Sequence, residues 1–154
     1  QFGLEGWADF DGELWEREYA RARQRRRSEL DLAPVVGCEQ DPLIADQARD
    51  NIRAAGLDGL ISIHSGSFEQ QTLPPGPGLL VCNPPYGHRV GSEDDLEQLY
   101  RSLGSFVRDQ ASGWQLWLLS GNASLTGALR LKASRRIPVS NGGIDCRWLN
   151  YGIR

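Results

Sequence analysis

The stretch LLVCNPPYGHRV, residues 79 to 90, decides how the chain reads. Leu79, Leu80, Val81 and Cys82 form a short apolar run suited to a buried strand. Pro84 and Pro85 then end it, because neither has an N–H to give to a ladder. Pro84 also pushes Asn83 towards extended geometry, and Pro85 does the same to Pro84. The product is a stiff turn at a strand's carboxyl end. It holds the Asn83 amide, the Pro84 carbonyl and the Tyr86 ring in nearly fixed positions. Two readings suit such a turn: a strand stop with an Asn cap, or a preorganised polar pocket with an aromatic lid.

Working outward, strands alternate with helices. Asp9 is placed to cap a helix running to about Arg27, with Leu14, Trp15, Glu18, Tyr19 and Ala22 at helical spacings. APVVGCEQD reads as a strand ending in acids, and Asp41-Pro42 as an N-cap with proline at the first helical position. Ile44, Ala48, Ile52 and Ala55 make one face of that helix, which Gly56 ends. LISIH is a further strand. Ser92 opens a helix with Glu93, Asp94 and Asp95 in its first turn and an apolar stripe through Leu96, Leu99, Tyr100, Leu103, Phe106 and Val107. WQLWLLS is another strand and NASLTGALRL a short helix. RRIPVS, NGG and IDCRWLNYGI read as a closing hairpin. This order predicts an α/β fold: a mostly parallel sheet, covered on both faces, with an antiparallel edge strand from the hairpin.

The chain has 154 residues, which suits one domain, with 40% apolar and 24% charged residues. No apolar run is long enough to span a membrane. A formal net charge of −3 argues against wholesale wrapping of nucleic acid but leaves room for a local basic patch. Cys38, Cys82 and Cys146 are far apart and lack metal-ligand spacing, so no metal site is expected. Reduced, buried thiols and a cytoplasmic setting are the expectation. The chain contains no methionine and begins at Gln1, which reads as a piece of a longer protein.

In an open α/β sheet, ligands bind outside the carboxyl ends of the strands. Three such ends carry chemistry here. Glu39, with Gln40 and Asp41 beside it, can accept hydrogen bonds from a ribose diol; a helix-capping acid is the plainer reading, and it explains Asp41 better than Glu39. Ser67 and Phe68 can meet the edge and face of an adenine, although a plain loop explains them too. The third end is Asn83-Pro84-Pro85-Tyr86. An exocyclic or amide nitrogen is a poor nucleophile because its lone pair is delocalised. Hydrogen bonds from its N–H groups to the Asn83 Oδ1 and the Pro84 carbonyl favour the geometry in which the lone pair localises. Tyr86 can stack on the flat target. Rigid positioning of this kind supplies roughly 7–11 kcal/mol of a barrier.

NPPYG after an apolar strand resembles motif IV of class I S-adenosylmethionine-dependent amino-methyltransferases. Together with GLEGWADFDGELWE, NPPYGHRVGSEDDLEQLYRSLG, GWQLWLLSGN and NGGIDCRWLNYGI, it resembles the catalytic domain of THUMP-associated large-subunit (23S) ribosomal RNA guanine-N2 methyltransferases over nearly the whole chain. The resemblance implies a Rossmann-like class I fold, S-adenosylmethionine as cofactor, and a THUMP domain in the parent chain. It implies methyl transfer to the N2 amine of a guanine in ribosomal RNA. Related amino-methyltransferases act on adenine N6 or protein glutamine. Within it, Asn83, Pro84, Pro85 and Tyr86 match motif IV, and Glu39 the acidic ribose position. Ser67 stands where the family has Asp facing the adenine. Arg89 matches a recurring Arg after the motif, whereas His88 replaces an acid. The family's first strand and Gly-rich loop have no counterpart in residues 1–30. The expectation is therefore one partial methyltransferase domain, 1–154, that by itself binds the cofactor poorly and exposes the strand edges on either side of the missing strand.

RARQRRR, which contains Arg25 and Arg26, can contact RNA phosphates or form a solvated helix end. Trp7, Trp15, Trp114, Trp117 and Trp148 are expected mostly in the core, with room for one base-stacking residue. His64 reads as structural and His88 as a pocket-rim residue.

Overall fold

A computed structural model describes residues 2–25, 33–86 and 92–154. The chain divides into two compact units, residues 1–33 and 34–154. In the first unit a 3-10 turn, Gly3–Gly6, precedes α1, Gly12–Gln24. The cap of α1 is Asp11 rather than Asp9: its carboxylate accepts the Leu14 N–H at 2.9 Å. The reason is local, since Phe10 N–H donates to the Trp7 carbonyl and so holds Asp9 inside a separate turn. Trp15 meets Phe2 edge-on at 5.1 Å and stacks on Tyr19 at 5.8 Å.

The second unit carries β1 (Val35–Glu39), α2 (Pro42–Ala54), β2 (Ile61–Ser65), β3 (Leu79–Cys82), α3 (Glu93–Gln110), β4 (Gln115–Ser120), α4 (Ala123–Ala128), β5 (Arg135–Asn141) and β6 (Ile144–Gly152). The α/β alternation expected from the sequence is present. β1 and β2 pair in parallel, as do β3 and β4. β6 then runs antiparallel to β4, and β5 antiparallel to β6, giving the order β3-β4-β6-β5. The hairpin therefore supplies two antiparallel strands, with β5 at the edge. Gly142 and Gly143 make its turn at φ of 59° and 82°, left-handed values that glycine adopts without strain. Among the described residues no ladder joins β1 to β3, so each has one unpaired side.

Around β4 and β6 lies the core. Tyr100 and Val107 of α3 pack with Leu116, Leu118, Leu125, Leu129, Leu149 and Tyr151. The Ser92 hydroxyl accepts the Asp95 N–H at 3.2 Å while Asp95 accepts from the Ser92 N–H, the reciprocal cap that starts α3. Gly104 brings α3 against the end of α4: a Cβ there would collide with the Leu129 carbonyl oxygen.

α2 is rotated from the face the sequence suggested. Ala45 is fully buried and Ala48 and Ile52 half-buried, but Ile44 is 51% exposed and Ala55 is exposed. Arg49 lies on the inward face with Ala45, Ala48 and Ile52. Its guanidinium donates to the Ile63 carbonyl at 2.9 Å and to Ser65 Oγ at 2.8 Å, tying α2 to β2 through a side chain that an apolar stripe leaves out. The thiols differ from expectation too: Cys146 is buried, Cys82 half-buried and Cys38 exposed on β1. None of the five tryptophans is fully buried; four are half-buried and Trp7 is exposed.

Candidate active site

β3 ends at Cys82, and the Asn83-Pro84-Pro85-Tyr86 turn follows at once. Burial pushes the Cys82 thiol up to about 11, so it stays protonated and offers no nucleophile beside the turn. Asn83 is exposed, while Pro84, Pro85 and Tyr86 are half-buried. An exposed amide on a rigid, half-buried turn can meet a ligand without moving the backbone.

What fixes the end of this turn comes from the hairpin. Tyr86 Oη accepts a hydrogen bond from Asn141 Nδ2 at 2.8 Å and lies 3.5 Å from the Cys146 thiol. The Cys146 contact raises the Tyr86 phenol above its ordinary value, and the Asn141 amide opposes that shift. On the other side, a Cβ on Gly121 would sit 3.3 Å from Tyr86 Cδ2, so the bare backbone after β4 passes against the ring. That backbone is held in turn by Ser120. Its hydroxyl receives the Tyr100 O–H at 3.3 Å and the Asn122 N–H at 3.1 Å. Asn141, Cys146 and Gly121 escaped the sequence reading as site residues. Asn141 looked like turn chemistry, and only the antiparallel return of β6 brings it to a motif 55 residues earlier.

The other two strand ends meet each other. Glu39 closes β1, and its carbonyl accepts the Gly66 N–H at 2.8 Å, so the end of β1 and the loop before Phe68 are neighbours. Glu39 Oε1 accepts the Asp41 N–H at 2.8 Å, which orients the carboxylate. Its second oxygen makes no hydrogen bond among the described residues. Gln40 beside it is exposed. Ser67 caps a 3-10 turn, Phe68–Gln70: its hydroxyl accepts the Glu69 N–H at 3.3 Å and donates to the Glu69 carboxylate at 3.1 Å. The hydroxyl is therefore committed locally. Phe68 packs edge-on against Phe106 of α3, with centroids 5.5 Å apart, and is half-buried. His64, exposed, bonds Gln71 at 3.0 Å through Nδ1.

Of the proposed RNA contacts, Arg25 is exposed at the end of α1. Arg26 and Arg89 lie outside the described residues, as does His88. Among the described residues, no group of three or more His, Cys, Asp or Glu is arranged to hold a metal, and no helix is long and apolar enough to cross a membrane.

Comparison with known proteins identifies relatives of this arrangement. The RMKL-like methyltransferase domain family matches residues 5–150. A Ribosomal RNA large subunit methyltransferase K/L of Syntrophotalea carbinolica is 37% identical over 157 aligned residues, which is 99% of this chain and 22% of the relative. Its namesake from a Marinomonas species is 35% identical over 156 residues, again 99% and 22%. The chain thus spans less than a quarter of the length of these relatives. Among solved structures, SMU.472 complexed with SAH aligns over 100% of this chain and 40% of its own, with a TM-score of 0.81 and 21% identity. At that identity the likeness establishes the fold, a Rossmann-like class I methyltransferase fold.

Proposed function

This chain belongs to the RMKL-like methyltransferase domain family, and from that premise we propose that it is the part of an RNA methyltransferase that presents an amine to S-adenosylmethionine. The target we propose is the exocyclic N2 amine of a guanine in large-subunit ribosomal RNA. The observation that carries this reading is the Asn83–Tyr86 turn at the carboxyl end of β3, with Tyr86 pinned by Asn141.

The residues present fit the cofactor. Glu39 has a carboxylate oxygen without a hydrogen bond among the described residues for the ribose hydroxyls, and Phe68 offers apolar surface to an adenine. Ser67 is tied to its own turn, so its contribution is through the backbone. When bound, the cofactor supplies a methyl group on a positively charged sulfur. Asn83 Oδ1 and the Pro84 carbonyl accept hydrogen bonds from the two amine N–H groups and turn the nitrogen lone pair out of conjugation. Tyr86 covers the base once it has left its stack. The amine proton departs after transfer, when the nitrogen carries the extra substituent, so no strong base is needed beside Asn83.

The test uses the intact parent protein and tritiated S-adenosylmethionine, with ribosomal RNA, DNA and a release factor offered side by side. Tritium recovered as N2-methylguanine from the RNA is the expected result. Label on adenine N6 or on a protein glutamine would move the target while keeping the chemistry. No label in any substrate would make the domain non-catalytic.

A further inference from the structure

Beside the Tyr86 turn lies a cleft of about 800 Å³ between α4 and one face of the β5–β6 hairpin. Gly121 and Cys146 belong to its wall and also lie against Tyr86, so the cleft meets the proposed amine site at the end of β4, with the Cys146 side chain on the opposite face of the hairpin from Arg136 and Arg147. Its lining includes Arg136, Arg147, Asn122, Thr126, Asp145 and Tyr151.

The charge here runs against that of the whole chain. Residues 130–147 contain Arg130, Lys132, Arg135, Arg136 and Arg147, and Asp145 is their only acid, whereas the chain totals −3. Register places the two cleft arginines close together. Arg136 pairs with Leu149, and Arg147 with Pro138, so the arginines are diagonal neighbours on one face. Such diagonal positions are roughly 7–8 Å apart, within reach of long side chains. The Arg136 charge is near enough to favour ionisation of the Tyr151 hydroxyl, against the larger opposing effect of burial. Among the described residues, every ion pair involves other arginines: Arg17, Arg21, Arg49, Arg53 and Arg101. Two like charges facing one cleft repel, since Asp145 lies beyond Arg147 rather than between them, and an anion there relieves the repulsion.

We propose that this cleft seats a phosphodiester of the RNA strand beside the target nucleotide, with Arg136 and Arg147 as its ligands. The inference rests on the RNA-methyltransferase reading above. Guanidinium forks match phosphate oxygens two at a time, and this fixes the strand's register as well as its affinity. The cofactor candidates Glu39 and Phe68 follow β1 and β2, whereas these arginines lie on the β5–β6 hairpin, whose Asn141 and Cys146 hold Tyr86. The anion is therefore assigned to the substrate rather than to the cofactor.

The experiment is a salt series. Fluorescence anisotropy of a labelled single-stranded ribosomal RNA segment is measured with the 154-residue chain between ~50 and ~200 mM salt. Against the unmodified chain, the Arg136→Ala/Arg147→Ala double variant is expected to bind about tenfold or more weakly. Its slope of log K against log salt should be shallower by about 0.7–1.4. The Arg136→Lys/Arg147→Lys variant, which keeps both charges, should retain most of the slope. Circular dichroism confirms that each variant is folded. An unchanged slope in the Ala variant overturns the proposal, as does an unmodified chain without measurable RNA affinity. Displacement of RNA by inorganic phosphate, beyond that by chloride at equal ionic strength and only with both arginines present, would reassign the cleft to free phosphate and also overturn it. The methylation assay on the parent reads the other question: RNA transfer absent while the slope difference persists would refute the enzymatic reading and leave the phosphate site standing.

Discussion

Asn141 Nδ2 donates to Tyr86 Oη at 2.8 Å, so the tip of the last hairpin fixes the aromatic residue of a turn that follows β3. Because the two proline rings already limit the turn's backbone, this bond settles what remains free, the tilt of the ring. In the intact parent protein, Asn141→Ala should lower the turnover of methyl transfer by up to about 10²-fold, the scale on which a small misplacement acts. Tyr86→Phe should fall in the same direction. The KM for RNA should move much less than kcat in both. A kcat left intact by Asn141→Ala would show that the tilt of the ring has no bearing on transfer.

Asn83→Ala removes one of the two proposed acceptors for the amine. Transfer in the parent is expected to fall by roughly 10²–10³, as when one preorganised polar group is lost from a transition state. S-adenosylmethionine affinity, followed by titration calorimetry, should change far less. Near-normal transfer by this variant would remove the amide from the mechanism.

Gly104 and Gly127 form a matched pair. A Cβ at Gly104 meets the Leu129 carbonyl, so Gly104→Ala should destabilise the chain by about 1–3 kcal/mol. Gly127 lies in α4 with nothing within 4 Å of its would-be Cβ. Gly127→Ala should therefore stabilise by about 0.5–1 kcal/mol, because alanine loses less backbone entropy in a helix. Urea midpoints of the two variants should move in opposite directions.

Alkaline pH should weaken the fold. Burial pushes the Cys82 thiol from 9.0 to about 11 and the fully buried Tyr100 phenol from 10.0 to about 12. Both groups are neutral when protonated, and the folded chain keeps each proton to a higher pH than the unfolded chain does. Stability from these groups is therefore complete below their ordinary values. It declines as pH rises from 9.0 to about 11 for Cys82, and from 10.0 to about 12 for Tyr100. Urea midpoints at increasing pH should show the decline, and Tyr100→Phe should make its upper part shallower. A Tyr100→Phe chain with the same alkaline profile as the unmodified one would assign the loss elsewhere.

Much of this fold is legible in the sequence because its signals are local. Two prolines end β3, Ser92 and Asp95 cap α3, and Gly142-Gly143 turns the hairpin, all through chemistry within a few residues. The misread features depend on distant partners. Asp9 has the identity of a cap, but the Phe10–Trp7 bond holds it in a separate turn and Asp11 caps α1 instead. Ile44 fits the apolar stripe of α2, but the inward face carries Arg49, which bonds Ile63 in the next strand. Asn141 has the identity of a turn residue and the position of a brace, and no spacing rule connects it to Tyr86. Arg136 and Arg147 become neighbours only through the register of β5 on β6.

The unpaired sides of β1 and β3 bear on how this chain behaves at different concentrations. Val35, Val36, Leu79 and Val81 are 46%, 44%, 58% and 61% exposed along those two strands. A second polypeptide that supplies a strand there would complete two ladders and cover apolar side chains at once. By mass action, whatever binds the folded chain and not the unfolded one raises its melting temperature in proportion to the logarithm of its concentration. The Tm of the 154-residue chain should accordingly climb on serial concentration and settle to a limiting value on dilution. Stabilities of its variants are comparable only at one fixed protein concentration.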